Sequence, residues 1–364
     1  AQVDVVMTAA AAEFIRPLTF EALTGRPVTV SLWNPTRALS HIHLACEAHL
    51  VIVAPATAHL LARAAMGMAD DVLTALLLAR EGPVLAAPAM NDHMYAHPAT
   101  QANLKTLQKR GWDLVGPDTG PLAEGPSDLP GRMSEPEAIV AAAARLLGAR
   151  PPWKGRRVVV TAGPTREHLD PVRVVTNPSS GRMGYAVAEA AFARGADVVL
   201  VAGPTALPSP VGVPVVRVES TADLLKALNG LIKKADLLVM AAAPADYAPA
   251  TTARAKLPRG DGKVTLTLDP TPDVLTSIKR PAGLVVVGFA LEAGDGLERA
   301  KAKLQEKRLD YIVLNDALEP GAGFEVVTNR VTLLSRSGAR HDLPLLSKRD
   351  VAEHVLDAVE EALR

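Results

Sequence analysis

Apolar residues in this chain occur in short runs that alternate with alanine- and leucine-rich stretches of helical length. The runs "VDVVMTA", "HLVIVAP", "GPVLAAP" and "WDLVGP" predict strands at 3–9, 49–55, 82–88 and 112–117. Nearly continuous apolar runs are typical of parallel strands, because helices cover both faces of such a sheet. The intervening pattern predicts helices near 40–48, 57–68, 70–80, 92–110 and 134–148.

The same alternation starts again after "ARPPWKGRR", residues 149–157. Two prolines and several basic residues interrupt both periodicities there, so we predict a linker at 149–155. The pattern beyond it predicts strands at 156–163, 196–204, 235–243, 283–291 and 310–316, and helices at 183–194, 221–234 and 295–307. The tail predicts a hairpin around Ser337-Gly338 and a closing helix at 347–363.

This organisation predicts an α/β protein with two doubly wound, Rossmann-like domains and mainly parallel sheets. The domains are expected at 1–148 and 156–364, the second with a C-terminal hairpin. A chain of 364 residues is long enough to bury two such cores.

Composition narrows the classes of function. Lys+Arg and Asp+Glu both number 39, which argues against a broad basic surface for nucleic acid. The apolar runs are far shorter than the ~20 residues of a membrane-spanning helix. The single cysteine, Cys46, excludes an intrachain disulfide and fits a reducing compartment, so we expect a cytoplasmic protein.

The stretch "TNPSSGRMG", 176–184, is rich in small polar residues just before a predicted helix. Ser179, Ser180 and Gly181 would lie at the helix N-terminus, where free N–H groups and the helix dipole favour an anion. The loop "TAGPTRE" adds Gly163 and Thr165 at the end of the preceding strand. These residues favour an anion or nucleotide site about as much as simple capping of the helix by serine.

Long stretches of the second half closely resemble the phosphopantothenate–cysteine ligase domain of coenzyme A biosynthesis. They are "TAGPTREHLDPVRVVTNPSSGRMGYAVAEAAFARG", "AAAPADYAP", "VGFALE" and "KAKLQEKRLDYIVLND". The resemblance implies that 4′-phosphopantothenate and CTP form an acyl-cytidylate and pyrophosphate. The amine of cysteine then displaces CMP. Mg²⁺ is implied with the triphosphate, but its ligands are unknown.

The ligase resemblance also assigns roles to residues. Lys256 matches the first lysine of a lysine-rich loop, and its ammonium suits a triphosphate. Asn177 matches an asparagine that handles the acyl-nucleotide, and its neutral amide is expected to donate to the acyl carbonyl without adding charge. Ser179, Ser180 and Gly181 are implied in substrate binding. The implied nucleotide-binding residues are Gly163, Thr165, Asp246, Phe289, Ala290, Lys303, Lys307 and Asn315. Without the resemblance, the lysines would be interpreted as solvated surface charges and Asn177 as a turn residue.

The first half resembles the flavin-dependent phosphopantothenoylcysteine decarboxylase, through "SHIHLACEAHLVIVAPATAH", "PAMNDHMY" and "GRM". The resemblance implies FMN as cofactor and His41 as the catalytic histidine. It also implies that Asn91 and Met94 bind the substrate. The implied FMN-binding residues are Thr8, Pro55, Ala56, Thr57 and Ala58.

Two departures from the decarboxylase pattern affect the expected activity. The flap, "GPLAEGPSDLP" at 120–130, directly precedes "GRM" and has Glu124 at or near the place where the family has a cysteine that reprotonates the intermediate. The sequence opens at "AQVDVVMT", which resembles the family's second strand, without the preceding turn for the flavin phosphate. We therefore predict little phosphopantetheine formation. A flavin decarboxylase for another thiol and a non-catalytic oligomerisation scaffold are the alternatives.

The resemblance further implies a homo-oligomer, with dimers of the ligase domain and trimers or a dodecamer of the first domain. The expected partners are CTP, 4′-phosphopantothenate and cysteine, with neither nucleic acid nor membrane.

Overall fold

The computed structural model describes residues 1–33, 39–258, 263–294, 296–316, 318–319, 321, 323 and 326–363. The chain divides into two compact units, Ala1–Leu147 and Gly148–Arg364.

The first unit contains a three-stranded parallel sheet between two layers of helices. Its strands, adjacent in this order, are β1 (Val51–Ala56), β2 (Val84–Pro88) and β3 (Trp112–Leu114). Its helices are α1 (Ala9–Phe14), α2 (Pro17–Thr24), α3 (Ser40–Glu47), α4 (Ala58–Met66), α5 (Val72–Ala79), α6 (Asp92–Ala96), α7 (Pro98–Lys109) and α8 (Pro136–Gly148). β2 is buried along its whole length, as a central parallel strand should be.

Two predictions for the first unit are wrong. Residues 3–9 do not form a strand: only Val6 pairs, with Thr29. Pro27, two residues before Thr29, has no N–H with which to extend a ladder. The predicted helix 92–110 is two helices, because Pro98 starts α7 and the preceding residue, His97, is extended.

The described residues of the second unit form a mixed eight-stranded sheet and three small two-stranded sheets. Its strands are β4 (Arg157–Ala162), β5 (Arg166–His168), β6 (Val174–Thr176), β7 (Asp197–Ala202), β8 (Val215–Arg217), β9 (Leu237–Met240), β10 (Tyr247–Pro249), β11 (Leu268–Pro270), β12 (Val285–Glu292), β13 (Tyr311–Asp316), β14 (Thr328–Asn329), β15 (Val331–Ser335), β16 (Arg340–Asp342) and β17 (Leu346–Ser347). The large sheet has the order β16-β15-β13-β12-β9-β4-β7-β8. β15 runs antiparallel to both of its neighbours, β13 and β16, whereas β13, β12, β9, β4, β7 and β8 are parallel to one another, so those six share one carboxyl edge.

Helices cover both faces of this sheet. They are α9 (Arg182–Ala193), α10 (Thr221–Leu231), α11 (Val274–Ser277), α12 (Leu297–Glu306) and α13 (Lys348–Glu360), with 3-10 turns at Pro151–Trp153, Ile232–Lys234 and Glu361–Leu363. One apolar cluster joins α9 and α13 to one face, and a second joins α10, α11 and α12 to the other. The predicted α/β class, with doubly wound, mainly parallel sheets and a C-terminal hairpin, is confirmed.

The segment predicted as a linker packs against the second unit. Trp153 is fully buried in the cluster with α9 and α13, and its Nε1–H donates to Glu360 at 2.8 Å. The guanidinium of Arg194 lies 5.5 Å from the centre of the indole ring. These contacts fasten residues 151–153 to the terminal helix.

None of the helices among the described residues is long and apolar enough to span a bilayer.

Candidate functional site

Two glycine-containing loops meet at the carboxyl edge of the large sheet. Gly163 follows β4 and Gly181 precedes α9, and both have left-handed φ values, 77° and 78°. A Cβ on Gly181 would lie 3.3 Å from the backbone nitrogen of Gly163, and a Cβ on either residue would lie 2.7 Å from the Thr205 methyl. Both positions therefore require glycine, because the φ values are left-handed and a side chain would clash with the facing loop.

The N-terminus of α9 lies at the same edge. The N-cap residue of this 12-residue helix is Gly181, and no side chain caps the helix there. The N-cap position itself is therefore occupied by glycine and not by serine. Ser179 and Ser180 directly precede it, and the Ser179 N–H donates to the Asn177 carbonyl at 2.8 Å.

Asn177, immediately after β6, fastens the loop that follows β9. Its Nδ2 donates to the carbonyl oxygens of Ala243 at 3.2 Å and Pro244 at 3.0 Å. Because the amide N–H groups are directed to these carbonyls, Oδ1 is the atom that can serve a ligand, as an acceptor, which differs from the expected donation to an acyl carbonyl.

Thr165 is a buried residue whose hydrogen bonds connect the loops around Asn177. Its side chain is buried, with Oγ1 accepting from the Ala245 N–H at 2.9 Å and lying 3.0 Å from Oγ1 of Thr221. The Thr165 carbonyl accepts from the Thr176 hydroxyl at 2.7 Å. Thr165 thus holds the loops together rather than presenting its hydroxyl to solvent.

The remaining candidates on strands lie at the same edge. Phe289 and Ala290 are in β12, and Asn315 is in β13, where it pairs with Leu291. Ala290 is buried, whereas Phe289 and Asn315 are half-buried. Asp246 is exposed after the Asn177-bound loop, and its carbonyl accepts from the Thr271 N–H at 2.9 Å.

The two candidate lysines of α12 are each paired with a carboxylate. Lys303 Nζ lies 2.6 Å from Glu292, and Lys307 Nζ lies 2.9 Å from Asp273. Burial raises the pKa of Glu292, but its bonds to Lys303 and Arg299 outweigh burial and hold that pKa below its ordinary value. The lysines are therefore oriented groups, not freely solvated charges.

Lys256 is exposed in a loop that is bonded to the β5–β6 hairpin. The N–H of the next residue, Leu257, donates to Oδ2 of Asp170 at 3.1 Å. The Thr252 hydroxyl donates to the His168 carbonyl at 2.9 Å. The hairpin leads directly to Asn177, so the loop of Lys256 and the position of Asn177 are connected through a few residues.

Sequence reasoning did not identify Thr205 or Asp170. A repeated motif could have revealed Thr205, because "AGPT" occurs at 162–165 and again at 202–205. The two copies lie side by side, with Ala162 paired to Ala202. For Asp170 the signal was Asp-Pro in "HLDPVR", a combination that favours a turn held by the aspartate side chain.

No group of three or more His, Cys, Asp or Glu side chains suited to a metal occurs within the part of the chain that the structure describes. Mg²⁺ is commonly held by substrate phosphates with one or two carboxylates. No protein ligands for Mg²⁺ are therefore assigned.

In the first unit, the Asn91 stretch and the flap come together. Asn91 is the N-cap of α6, with its side chain accepting from the His93 N–H at 2.9 Å. The Met90 N–H donates to the Gly131 carbonyl at 3.0 Å, and the Ser127 hydroxyl donates to Asp92 at 2.5 Å. Met94 is half exposed on α6.

Glu124 lies exposed in a two-residue turn at the flap tip, between the bridged residues Leu122 and Gly125. Cys46 is exposed on α3, in another part of the unit.

His41 lies in the first turn of α3, and its Nδ1 is buried without a hydrogen-bond partner among the described residues. Buried polar atoms normally have a partner, so this atom is suited to a ligand or to a group from another chain.

The residues implied for FMN lie at the N-termini of α1 and α4, and those at 55–58 also lie at the end of β1. Thr8 caps α1, accepting from the Ala11 N–H at 3.2 Å. Thr57 caps α4, accepting from the Leu60 N–H at 3.3 Å. Pro55, Ala56 and Ala58 flank Thr57 at the carboxyl end of β1. Such small residues leave the backbone open to a flat cofactor, so this edge fits FMN.

Comparisons with known proteins cover both units. Residues 1–148 match the family "Flavoprotein", and residues 153–363 match the family "DNA/pantothenate metabolism flavoprotein C-terminal domain".

The coenzyme A biosynthesis bifunctional protein CoaBC of Vibrio vulnificus is 43% identical over 369 residues, covering 99% of this chain and 90% of that protein. The protein of the same name from Mycobacterium tuberculosis is 45% identical over 375 residues, covering 98% and 89%. A crystal structure of the C-terminal domain of a CoaBC protein is 39% identical, with a TM-score of 0.51, and covers 59% of this chain and 98% of that chain.

Proposed function

The chain belongs to the family of coenzyme A biosynthesis bifunctional proteins, which join a flavoprotein decarboxylase domain to a ligase domain, and we propose that its ligase uses CTP. The proposed substrates are 4′-phosphopantothenate and cysteine, with 1–148 as decarboxylase domain and 156–364 as ligase domain.

The observation that carries the ligase proposal is the meeting of the Gly163 and Gly181 loops beside the N-terminus of α9. Backbone N–H groups in such a concavity can hold phosphate oxygens without a side chain in the way. Phe289 and Asn315, on neighbouring strands of the same edge, are suited to a nucleoside.

In the first step, the carboxylate of phosphopantothenate attacks the α-phosphorus of CTP, and the bond to pyrophosphate breaks. We assign Lys256 to this step, because an ammonium beside the triphosphate offsets the charge on the departing pyrophosphate. Lys303 and Lys307 are proposed to exchange their carboxylate partners for phosphate oxygens when CTP binds.

In the second step, the amine of cysteine attacks the acyl carbon, CMP leaves, and the amine loses a proton. We assign Asn177 to this step. Oδ1 of Asn177 can accept a hydrogen bond from the amine and orient it, while the N–H groups keep the Ala243–Pro244 loop in place.

For the first unit we propose FMN binding at the end of β1, with His41 and Asn91 facing the substrate. When bound, the flavin would supply the oxidation and reduction that the reaction requires. His41 is suited to contact the thiol-bearing end of the substrate through a ring nitrogen, and Asn91 is suited to its carboxylate. Glu124 lacks the thiol function of the family's flap.

We also propose that the first unit associates with other copies of itself. Phe14 is 93% exposed and Trp33 is 90% exposed, so both large apolar side chains are available to be buried against a partner copy. A cytoplasmic location remains a prediction from cysteine usage.

An assay with phosphopantothenate, cysteine and each of the four nucleoside triphosphates tests the ligase proposal. Amide and CMP formation with CTP, at a rate at least tenfold above that with ATP, is expected. Equal rates with all four nucleotides, or no amide with CTP, would contradict it. An absorption band near that of oxidised flavin in the purified protein tests the FMN proposal separately.

A further inference from the structure

We propose that Asp170 is a positioning residue for ligation, whose buried carboxylate holds the Lys256 loop against the hairpin that ends at Asn177. The proposal rests on the assignment of Lys256 and Asn177 to the two steps above.

The carboxylate of Asp170 lies at the β5–β6 turn, and its side chain is completely buried. Oδ1 accepts from the N–H groups of Val172 and Arg173, both at 2.8 Å. Oδ2 accepts from the Leu257 N–H at 3.1 Å and from Nη1 of Arg173 at 3.1 Å. One oxygen therefore shapes the turn, and the other reaches across to the loop of Lys256.

Two further bonds join the same segments. The Thr252 hydroxyl donates to the His168 carbonyl at 2.9 Å, and the Ala253 N–H donates to the Leu169 carbonyl at 2.9 Å. The loop is thus fixed at residues 252, 253 and 257, on both sides of the exposed Lys256.

The other strand of the hairpin fixes the distance to Asn177. β5 pairs with β6 from Arg166–Thr176 to His168–Val174, and Asn177 is the next residue after β6. A short paired hairpin is a rigid spacer, so the Asp170 turn sets the place of Lys256 relative to Asn177.

The charge state of Asp170 agrees with this role. Burial raises the pKa of this carboxyl, but the N–H groups of Val172, Arg173 and Leu257, together with the Arg173 guanidinium, outweigh burial and hold the pKa below its ordinary value. The group is therefore ionised at neutral pH and accepts from all its donors at once.

Asp170→Asn separates the two tasks of the carboxylate. The amide oxygen can still accept from Val172 and Arg173, but the amide NH₂ would face the Leu257 N–H, donor against donor. Asp236→Asn is the matched control. Asp236 also accepts from a backbone N–H, that of Arg157 at 2.8 Å, and from a guanidinium, that of Arg156 at 2.9 Å, but at the start of β9, the opposite edge of the sheet.

In the full-length protein, Asp170→Asn should slow pyrophosphate release by about 10- to 100-fold, as expected for misplacement of a catalytic group by about 1 Å. The KM for CTP should change less than threefold. Hydrogen–deuterium exchange of amides 252–257 should become faster. Asp236→Asn should change neither the rate nor this exchange.

The double variant Asp170→Asn/Lys256→Gln distinguishes positioning from a general structural role. If Asp170 acts through Lys256, adding Asp170→Asn to Lys256→Gln should reduce the rate by less than twofold. A full 10- to 100-fold further loss would overturn the proposal, as would unchanged exchange of amides 252–257 in the single variant.

Thr252→Val provides the same test if Asp170→Asn does not fold. It removes one exposed bond to the hairpin, and we expect about a threefold slower pyrophosphate release with faster exchange at 252–257. Unchanged rate and exchange would overturn the proposal. A fully active Lys256→Gln variant would instead overturn the assignment of Lys256, and with it the catalytic part of the proposal. The hydrogen–deuterium exchange of amides 252–257 would still show whether the Asp170 carboxylate holds the loop.

Discussion

The two units differ in how many of their candidate site residues contact one another. In the second unit, Gly163 and Gly181 are adjacent, and Asn177 is bonded to the loop after β9. In the first unit, the Asn91 helix and the flap are bonded, but His41 keeps a buried Nδ1 without a described partner.

The first unit also has more large apolar side chains that are strongly exposed. Phe14, Leu18, Leu23, Trp33 and Met66 of the first unit are all more than two-thirds exposed. In the second unit, Val264 and Leu318 are the described large apolar residues exposed to that degree, and helices cover both faces of its parallel sheet. The second unit thus brings its candidate residues together at one edge of its sheet, whereas in the first unit the buried Nδ1 of His41 has no hydrogen-bond partner among the described residues.

Removing the Lys256 cation should break the second unit's function most strongly. Lys256→Gln should slow amide formation by about 10²–10³-fold, the effect of losing one charged hydrogen bond in a transition state. Lys233→Gln, an exposed lysine just before β9, is the control and should stay within twofold. Flavin absorption should be the same in all three proteins. A Lys256→Gln variant with more than half the normal rate would contradict the assignment.

Two fragments, one that begins before Trp153 and one that begins after it, test whether the second unit folds and is active without the first. A fragment of residues 148–364 should fold and ligate, whereas 155–364 loses the buried indole and its bond to Glu360. The loss should be about 3–5 kcal/mol of unfolding free energy, roughly a 10 °C lower Tm. Calorimetry of the two fragments measures it, and equal Tm values would mean that residues 151–153 act only as a linker.

Placing a thiol in the flap should increase the decarboxylase activity of the first unit. Glu124→Cys should increase phosphopantetheine formation from phosphopantothenoylcysteine about tenfold with added FMN, because a thiol can reprotonate the intermediate. Asp128→Cys places a thiol elsewhere in the flap and should have no effect. Rapid phosphopantetheine formation by the unaltered protein would show that Glu124 suffices.

The smallest expected effect concerns the lysines of α12. Lys303→Gln should raise the KM for CTP about fivefold, equivalent to about 1 kcal/mol for a half-exposed ion pair. Lys301, which pairs with Glu298 on the same helix, is the control. If Lys301→Gln raises the KM as much, the effect is one of general charge and not of a nucleotide contact.

Continuous apolar runs made the large sheet predictable from sequence. The runs at 156–163 and 283–291 correspond to β4 and β12, because a strand buried on both faces has little room for polar residues. The run at 3–9 has the same composition and forms no strand, since pairing depends on a partner segment that the pattern cannot reveal. The hairpins β5–β6 and β10–β11 were missed because three-residue strands between polar turns have no periodicity to detect.

The candidate residues could be named from sequence, but their contacts could not. Thr165 is a case in point: its hydroxyl is used inside the protein, which no motif indicates. The bond of Asp170 to Leu257 joins residues 87 positions apart, so only the folded chain connects them.

The central claim is that the ligase site works in two steps and uses a different group for each step. The most direct test is to measure pyrophosphate release and acyl-cytidylate accumulation in the Asn177→Asp variant. The new carboxylate would face the carbonyls of Ala243 and Pro244, which previously accepted hydrogen bonds, so the loop should shift and the amine should be poorly oriented. Quenched-reaction chromatography should show continued pyrophosphate release with accumulation of acyl-cytidylate in Asn177→Asp, and neither in Lys256→Gln. If Asn177→Asp blocks pyrophosphate release as completely as Lys256→Gln, with no acyl-cytidylate detected, the division of the two steps between these residues is wrong.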